Sequence, residues 1–449
     1  MTNNKGRQIM NNEYGKLGLL ECITILIGGM IGSAIFSLSG LTMFLAGPAS
    51  SLSWLIAGVI MLCYGMLVCE LSCRFPKSGG VYVFPREAFE KGKGQFWGWF
   101  SCWGAILTNI VSIAFGAIYV GIYLGVAFPG MESYQIPLAL FSIFLCYLLN
   151  VIKFSTAGKI NNYIVALLIA TIFAYVFSAF FSGNFTLQNF IPFFTQGVEG
   201  WAGVFSAVPI AVIGYSSINA MAFMVSDVKN PDSVVSKSML ISIAIVVAIY
   251  FLVIVSTMGL ITTEYLIQNP GMRFIPLFAV CNAKMSSMPW LTYVVSISAT
   301  IALMTTILVC ISMNARTLKA ASDDGILPSV FGRLNKNQVP SYAVATTCIL
   351  SGIIACFPKM TSEIVNFGSL FNVFTLVITI TAFIYARRTR KFEKVAFMAP
   401  GGYWLASVVL VLLAFCNFTS IATAGHEMWV FTLIFSVLGL VIFLCRKKG

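Results

Sequence analysis

The sequence predicts an all-α polytopic membrane protein, on three observations. Charged residues make up only 9% of the 449 residues and apolar residues 59%, whereas a soluble domain carries roughly 25% charged residues. The apolar residues come in long, almost uncharged runs, with a mean hydropathy of +0.91. Lys and Arg alternate from loop to loop in a two-sided pattern. So little charge cannot clothe a water-facing surface, which excludes a soluble enzyme, a disordered protein and a nucleic-acid-binding module. Continuous rather than alternating apolar runs exclude a β-barrel.

A helix needs about 20 mostly apolar residues to cross the hydrocarbon core. Twelve segments meet this requirement, near 18–44, 48–73, 96–127, 135–152, 160–183, 203–225, 238–262, 290–315, 341–357, 363–386, 403–424 and 427–445. The first is long, lacks a small-residue cleavage pattern and is followed by further spans, so it reads as span 1 and not as a signal peptide. With the N-terminus and every second loop assigned to one side, 24 of the 27 Lys and Arg fall there; Arg273, Lys284 and Lys359 fall on the other. Positive loops stay in the cytoplasm, so both termini are expected there, in a multi-pass protein of the plasma (inner) membrane. The net charge of +12 is then an orientation signal, and no nucleic-acid partner is expected.

The twelve cysteines are scattered, mostly within spans, and read as small buried apolar residues; Cys281 alone falls in an external loop. There is no CxxC and no Cys/His cluster, so neither a metal nor a cofactor is expected. The single histidine, His426, falls in a short external loop, which excludes a histidine proton relay within the membrane. Glu21 and Glu70 are acidic residues within spans, both near cytoplasmic ends. A structural or gating ion pair and proton carriage are both open to them, and Arg74, one turn from Glu70, is a partner for the first.

Span 1 carries Gly28-Gly29-Met30-Ile31-Gly32-Ser33-Ala34-Ile35-Phe36 and then Gly40. Glycines so dense make a poor uninterrupted helix; close helix–helix packing is the competing reading. Span 6 contains a small, polar patch, Gly214-Tyr215-Ser216-Ser217-Ile218-Asn219. Two five-span repeats would put spans 1 and 6 in corresponding places, and an odd number of spans per repeat inverts the second. A matched pair of interrupted helices is the strongest sequence pointer to a transporter's binding site. The expected organisation is a cytoplasmic tail at 1–17, a first repeat at 18–183, a second at 203–386, spans 11 and 12 at 403–445, and a tail at 446–449.

Where a helix unwinds, its N–H and C=O groups lose their partners, which hydrocarbon does not tolerate unless they line a cavity. A half-helix beginning near Ser33 would aim free amides and a positive dipole end at a carboxylate. Half-helices ending near Met30 and Ser216 would offer carbonyls to an ammonium. A zwitterion could thus be held without a charged side chain, and the central parts of the spans contain none.

These residues resemble the amino acid–polyamine–organocation superfamily of permeases, over about residues 16–390. Helix 1 GGMIGSAIF is similar to the family's glycine-rich unwound segment. Cys69-Glu70-Leu71 through Phe75-Pro76-Lys77-Ser78-Gly79-Gly80-Val81-Tyr82 resembles its "ELS…P.SGG.Y" stretch. Val228-Lys229-Asn230-Pro231 resembles its "KNP", and Ala320 to Pro328 with Val339-Pro340 its loop after helix 8. The resemblance implies a leucine-transporter-type 5+5 inverted repeat of 12 transmembrane helices, discontinuous in helices 1 and 6. It also implies a secondary transporter of amino acids working by alternating access, not an enzyme.

Two branches compete. The helix 8–9 loop is similar to arginine:agmatine antiporters, and Tyr215 to Asn219 to the "YGGWN" of L-type exchangers. Aligned on the KNP anchor, Asn219 stands where the antiporters carry a glutamate. Ile213 and Cys310 stand at their tryptophans and Thr379 at a gating tyrosine. A cation in a dry pocket wants a carboxylate or aromatic faces, so an exchanger of neutral amino acids is expected. A cationic amino acid or polyamine antiporter, or a proton-coupled symporter, is the alternative. Leu168 falls where some relatives keep a coupling lysine. Ala34 replaces a family glycine, and residues 128–135 lack the cysteine that would bond a heavy chain.

The expected substrate-binding residues are Met30, Ile31, Gly32, Ser33 and Ala34 from span 1, and Ile213, Tyr215, Ser216, Ser217 and Asn219 from span 6. Amides near Ser33 and Ala34 would take the carboxylate and carbonyls near Met30, Ile213 and Ser216 the ammonium, with Ile213 or Tyr215 as an outer gate. Asn109, Cys310 and Thr379 would line the side-chain pocket, although Asn109 equally fits an interhelical hydrogen bond, and Cys310 and Thr379 ordinary packing. The partners expected are the amino acid substrate and the lipid bilayer, with the chain a monomer or homodimer.

Overall fold

A computed structural model describes residues 17–128, 130–152, 154–358, 361–389, 395–422 and 426–446. The expected tails, apart from Leu17 and Arg446, lie outside these residues, as does Lys359. The described residues form helices joined by turns, with one isolated bridge between Leu17 and Val228.

Every expected span coincides with a helix or a broken pair. Span 1 is α1 (Leu19–Ser33), a π-helical turn (Ala34–Leu38) and α2 (Ser39–Ala46). Then come α3 (Ser50–Arg74), the short α4 (Val83–Ala88), α5 (Lys93–Ala127), α6 (Gln135–Val151) and α7 (Phe154–Phe181). Span 6 is α8 (Trp201–Gly214), a 3-10 turn (Ser216–Asn219) and α9 (Ala220–Phe223). There follow α10 (Pro231–Met258), the short helices α11 (Thr263–Gln268) and α12 (Pro276–Lys284), α13 (Pro289–Asp323), α14 (Ser341–Ala355), α15 (Thr361–Thr389), α16 (Tyr403–Ala422) and α17 (His426–Leu444). Among the described residues, seven helical runs are long and apolar enough to cross a membrane, the run 19–74 holding two expected spans, and four further apolar helices are shorter. Cys281, expected in a loop, is buried in α12.

The packing falls into two sets. In one, α10 lies against α1 and α3, and α3 against α8; in the other, α5 carries α13, α15, α6 and α14. Contact between α13 and α1 joins them. The outer faces of α16 and α17 expose Trp404, Val411, Phe418, Leu433 and Ile434, as lipid-facing helices do.

Three of the stretches that carry the family resemblance, those in the loops, meet at one end of the bundle. Asn230 takes a left-handed conformation (φ 48°) and Pro231 opens α10, a turn asparagine tolerates and a first-turn proline favours. Gly79 and Gly80 have φ of 124° and 49°. The Gly79 amide donates to the Phe223 carbonyl at 3.2 Å, and a side chain at Gly80 would strike the Phe223 ring. Asp324 accepts from the Tyr82 hydroxyl (2.5 Å) and from Arg86 (2.7 Å), while Arg316 bonds Asp227 at 2.7 Å. Burial and the Asp324 carboxylate push the Tyr82 phenol up, keeping it a neutral donor.

Glu70 is fully buried, and its carboxylate receives Arg74, Arg387 and the Ala399 amide, the Arg387 bonds at 2.6 and 2.9 Å. It thus ties α3 to α15 and the segment beyond, the structural form of the two readings. Glu21 caps its own helix by accepting from the Gly18 amide at 3.0 Å. Glu70→Ala is expected to cost on the order of 3–5 kcal/mol, because two guanidinium groups lose their shared carboxylate inside the protein. Thermal unfolding of the purified variant in detergent checks it; an unchanged midpoint would refute the assignment.

Candidate functional site

The two interrupted segments lie side by side. A side chain at Gly29 would come within 3.0 Å of Ser217, and one at Gly214 within 2.8 Å of the Ala34 methyl. Ala34, the departure from the family pattern, therefore fills space that Gly214 leaves open.

The break in span 1 differs from expectation. The glycine-rich stretch 28–33 remains α-helical, and the bonding pattern changes only at the π turn, Ala34–Leu38. The glycines serve packing. A side chain at Gly28 would meet Val165 at 2.9 Å, and one at Gly32 would lie 1.8 Å from Thr306 Oγ1 and 2.4 Å from the Ala302 carbonyl. Helix–helix closeness, not chain freedom, accounts for them. The Ala34 amide is correspondingly not free: it donates to the Ile31 carbonyl. The side chain of Ser33 lies outside the described residues.

Hydroxyls donate to carbonyls along span 1, both in the intact helix and at the turn, where altered bonding in a dry interior leaves acceptors that need donors. Thr305 and Thr306 of α13 donate to the Gly28 and Gly29 carbonyls at 2.9 and 3.1 Å. Ser39 and Tyr123 donate to those of Ile35 and Phe36, each at 2.5 Å. The Tyr250 hydroxyl of α10 contacts the Met30 carbonyl at 2.5 Å and the Gly214 carbonyl at 3.1 Å. One phenolic proton thus faces two carbonyls, one from each interrupted span. The π turn is also the kind of helix defect that recurs at functional sites.

An aromatic cluster holds this bridge. The Trp54 ring lies 4.7 Å from Tyr250, nearly perpendicular, and the Tyr215 ring 5.0 Å from Tyr250. Tyr215 donates to the Trp54 carbonyl at 3.1 Å, and the Trp54 indole to Thr42 at 2.9 Å. All three rings are buried.

Of the expected site residues, Met30, Ile31, Gly32, Ala34, Tyr215 and Ser217 are buried at this junction, and Ile213 and Ser216 are half-buried there. Asn219 is buried with its amide 3.5 Å from the Tyr64 hydroxyl, which lies near Thr379. Its side-chain oxygen has no protein partner. Thr379 also donates to the Thr375 carbonyl at 2.8 Å. Cys310 on α13 and Asn109 on α5 are buried. Tyr250, Trp54, Thr305 and Thr306 were missed by sequence reasoning. They are ordinary polar or aromatic side chains of apolar spans, marked only by the partners that folding brings to them.

Residues 17–443 match a family described as amino acid permease. A branched-chain amino acid permease of Bacillus subtilis is 25% identical over 457 aligned residues, covering 96% of this chain and 93% of the relative. A mitochondrial cationic amino acid transporter of Arabidopsis thaliana is 28% identical, over 79% of this chain and 60% of the relative. An uncharacterized transporter of Mycobacterium tuberculosis is 26% identical, over 72% of this chain and 69% of the relative.

Proposed function

The chain belongs to the amino acid permease family, and from that premise we propose that it exchanges neutral amino acids across the plasma membrane by alternating access. It is an integral membrane protein of a permease family and not an enzyme. The reading adds twelve membrane-crossing helices in two inverted five-helix repeats, with both termini in the cytoplasm. The observation that carries it is the pair of interrupted spans packed together, with the Met30 and Gly214 carbonyls converging on one hydroxyl. Two carbonyl dipoles aimed at one point favour a cation such as a substrate ammonium, and no ionised side chain is needed.

The carboxylate end of the substrate would lie toward the π turn, where the bonding pattern of span 1 changes. The neutral side chain is favoured by Asn219, a buried amide beside Tyr64 and Thr379 where a cation would want a carboxylate. The relatives include both a branched-chain amino acid permease and cationic amino acid transporters, so they support amino acid transport without dividing the two substrate classes. Movement would rock the set α1, α3, α8 and α10 against the set built on α5. Residues such as Thr305 and Thr306, which bond across the two sets, would have to release the Gly28 and Gly29 carbonyls.

The test is counterflow in proteoliposomes. Vesicles loaded with leucine, valine, arginine or nothing are given a labelled neutral amino acid at two pH values. Stimulation by internal neutral amino acids alone is expected. Stimulation by arginine alone would overturn the substrate class. Accumulation into empty vesicles under a proton gradient would overturn exchange.

A further inference from the structure

A cavity of about 500 Å³ lies between α6 and α14, lined by none of the junction residues. Ile143 and Cys348, nearly buried, form its floor. Its rims are Phe144 on one side and Ile349 and Ile353 on the other, each more than half exposed. It exists because Gly352 leaves a gap opposite Leu140: a side chain there would begin 3.5 Å from the Leu140 methyl. Apart from the Tyr147 hydroxyl and the bare Gly352, its side-chain lining is aliphatic, aromatic or sulfur-bearing. A groove of this size falls in the range of ligand sites.

We infer that this groove is a lipid site that takes one acyl chain of a bilayer phospholipid. The inference rests on the twelve-span reading above for its depth, since both walls lie within expected spans 4 and 9. Water finds too few polar partners in such a groove, and at that depth hydrocarbon chains are what surround the protein. A helix from a second copy fits less well, because neighbouring helix axes approach to about 8–10 Å and the protruding Phe144, Ile349 and Ile353 hold one off. A single flexible chain passes between those rims.

A flanking helix adds a second argument. At 15 residues, α14 is roughly 22 Å long, short of a hydrocarbon core of about 30 Å. Short spans thin the bilayer around them. A chain lying in the groove fills space that tilted, thinned lipid would otherwise leave beside α14.

The experiment uses the full chain in detergent with a phosphatidylglycerol carrying a diazirine in its acyl tail, photolysed and mapped by mass spectrometry. Adducts should concentrate on 140–147 and 345–356, above the level on the exposed α16 positions Val408, Val411 and Phe415. Gly352→Leu, which fills the gap, should bring groove labelling down to the α16 level, and Ala345→Leu serves if the first variant folds poorly. Groove labelling no higher than on α16, or unmoved by both variants, would overturn the site. A disulfide formed between the Cys356 residues of two copies in native membranes would assign the groove to a second copy and overturn it too. Labelling of Cys348 in intact membranes by a membrane-impermeant maleimide would instead place the groove in water, and the twelve-span reading would then fail.

Discussion

Gly32→Ala should remove most of the folded protein, while Gly28→Ala leaves most of it in place. The contrast follows from what each added methyl group meets. At Gly32 it would lie 1.8 Å from Thr306 Oγ1 and 2.4 Å from the Ala302 carbonyl. The first atom is held, because Thr306 donates to Gly29 at 3.1 Å. The second is backbone of α13 and cannot turn aside. The methyl therefore has to push α1 from α13 along the seam that joins the two packing sets. Overpacking of this kind costs about 1–3 kcal/mol in ordinary cores, and a clash with fixed backbone falls at or beyond the upper end. At Gly28 the nearest atom is a Val165 methyl at 2.9 Å, which can rotate. Size-exclusion profiles of fluorescently tagged variants read the difference. Equal recovery of the two variants would show that α1 and α13 are not packed as described. Thr306→Ala placed on Gly32→Ala should rescue only in part, since the Ala302 carbonyl remains in the way.

The same glycines show how far the sequence could be read. The place of the long helices follows from hydrophobic length, which depends on composition over whole segments. The interruption at Gly214 and Ser216 was legible because small and polar residues cluster in an otherwise apolar span. The interruption in span 1 was legible in kind but displaced: it begins at Ala34 and not within 28–33. Glycine weakens a helix on its own, but a neighbouring helix that fits its bare face restores it. Whether such a neighbour exists is a tertiary fact, supplied here by Val165, Ser217 and Thr306. Glu70 illustrates the same limit. Arg74, four residues away, could be named from spacing, whereas Arg387, 317 residues away, could not. The motif-bearing loops were recognisable one by one, but their meeting through Gly79, Phe223, Tyr82 and Asp324 depends on the fold.

Tyr250→Phe isolates the junction itself and is expected to leave the protein folded while lowering transport at limiting substrate by roughly tenfold or more. The ring's contacts with Trp54 and Tyr215 survive the change, and only the hydroxyl goes. What it leaves is the Met30 and Gly214 carbonyls without their shared donor in a dry interior. An abandoned buried acceptor costs about 1–3 kcal/mol, and each 1.4 kcal/mol is tenfold in an equilibrium constant. The carbonyls lower that cost by turning away, and in turning they lose the convergence that would hold an ammonium. The effect should therefore fall on KM more than on the maximal rate, and Tyr250→Trp, which offers a donor in the wrong place, should not restore it. Counterflow measured over a range of substrate concentrations separates the terms. A fall in KM would mean that the hydroxyl competes with the substrate for these carbonyls, and no change in either term would remove Tyr250 from the site. A uniform drop in maximal rate with intact KM would place its role in the rocking of α10 and not in holding the substrate.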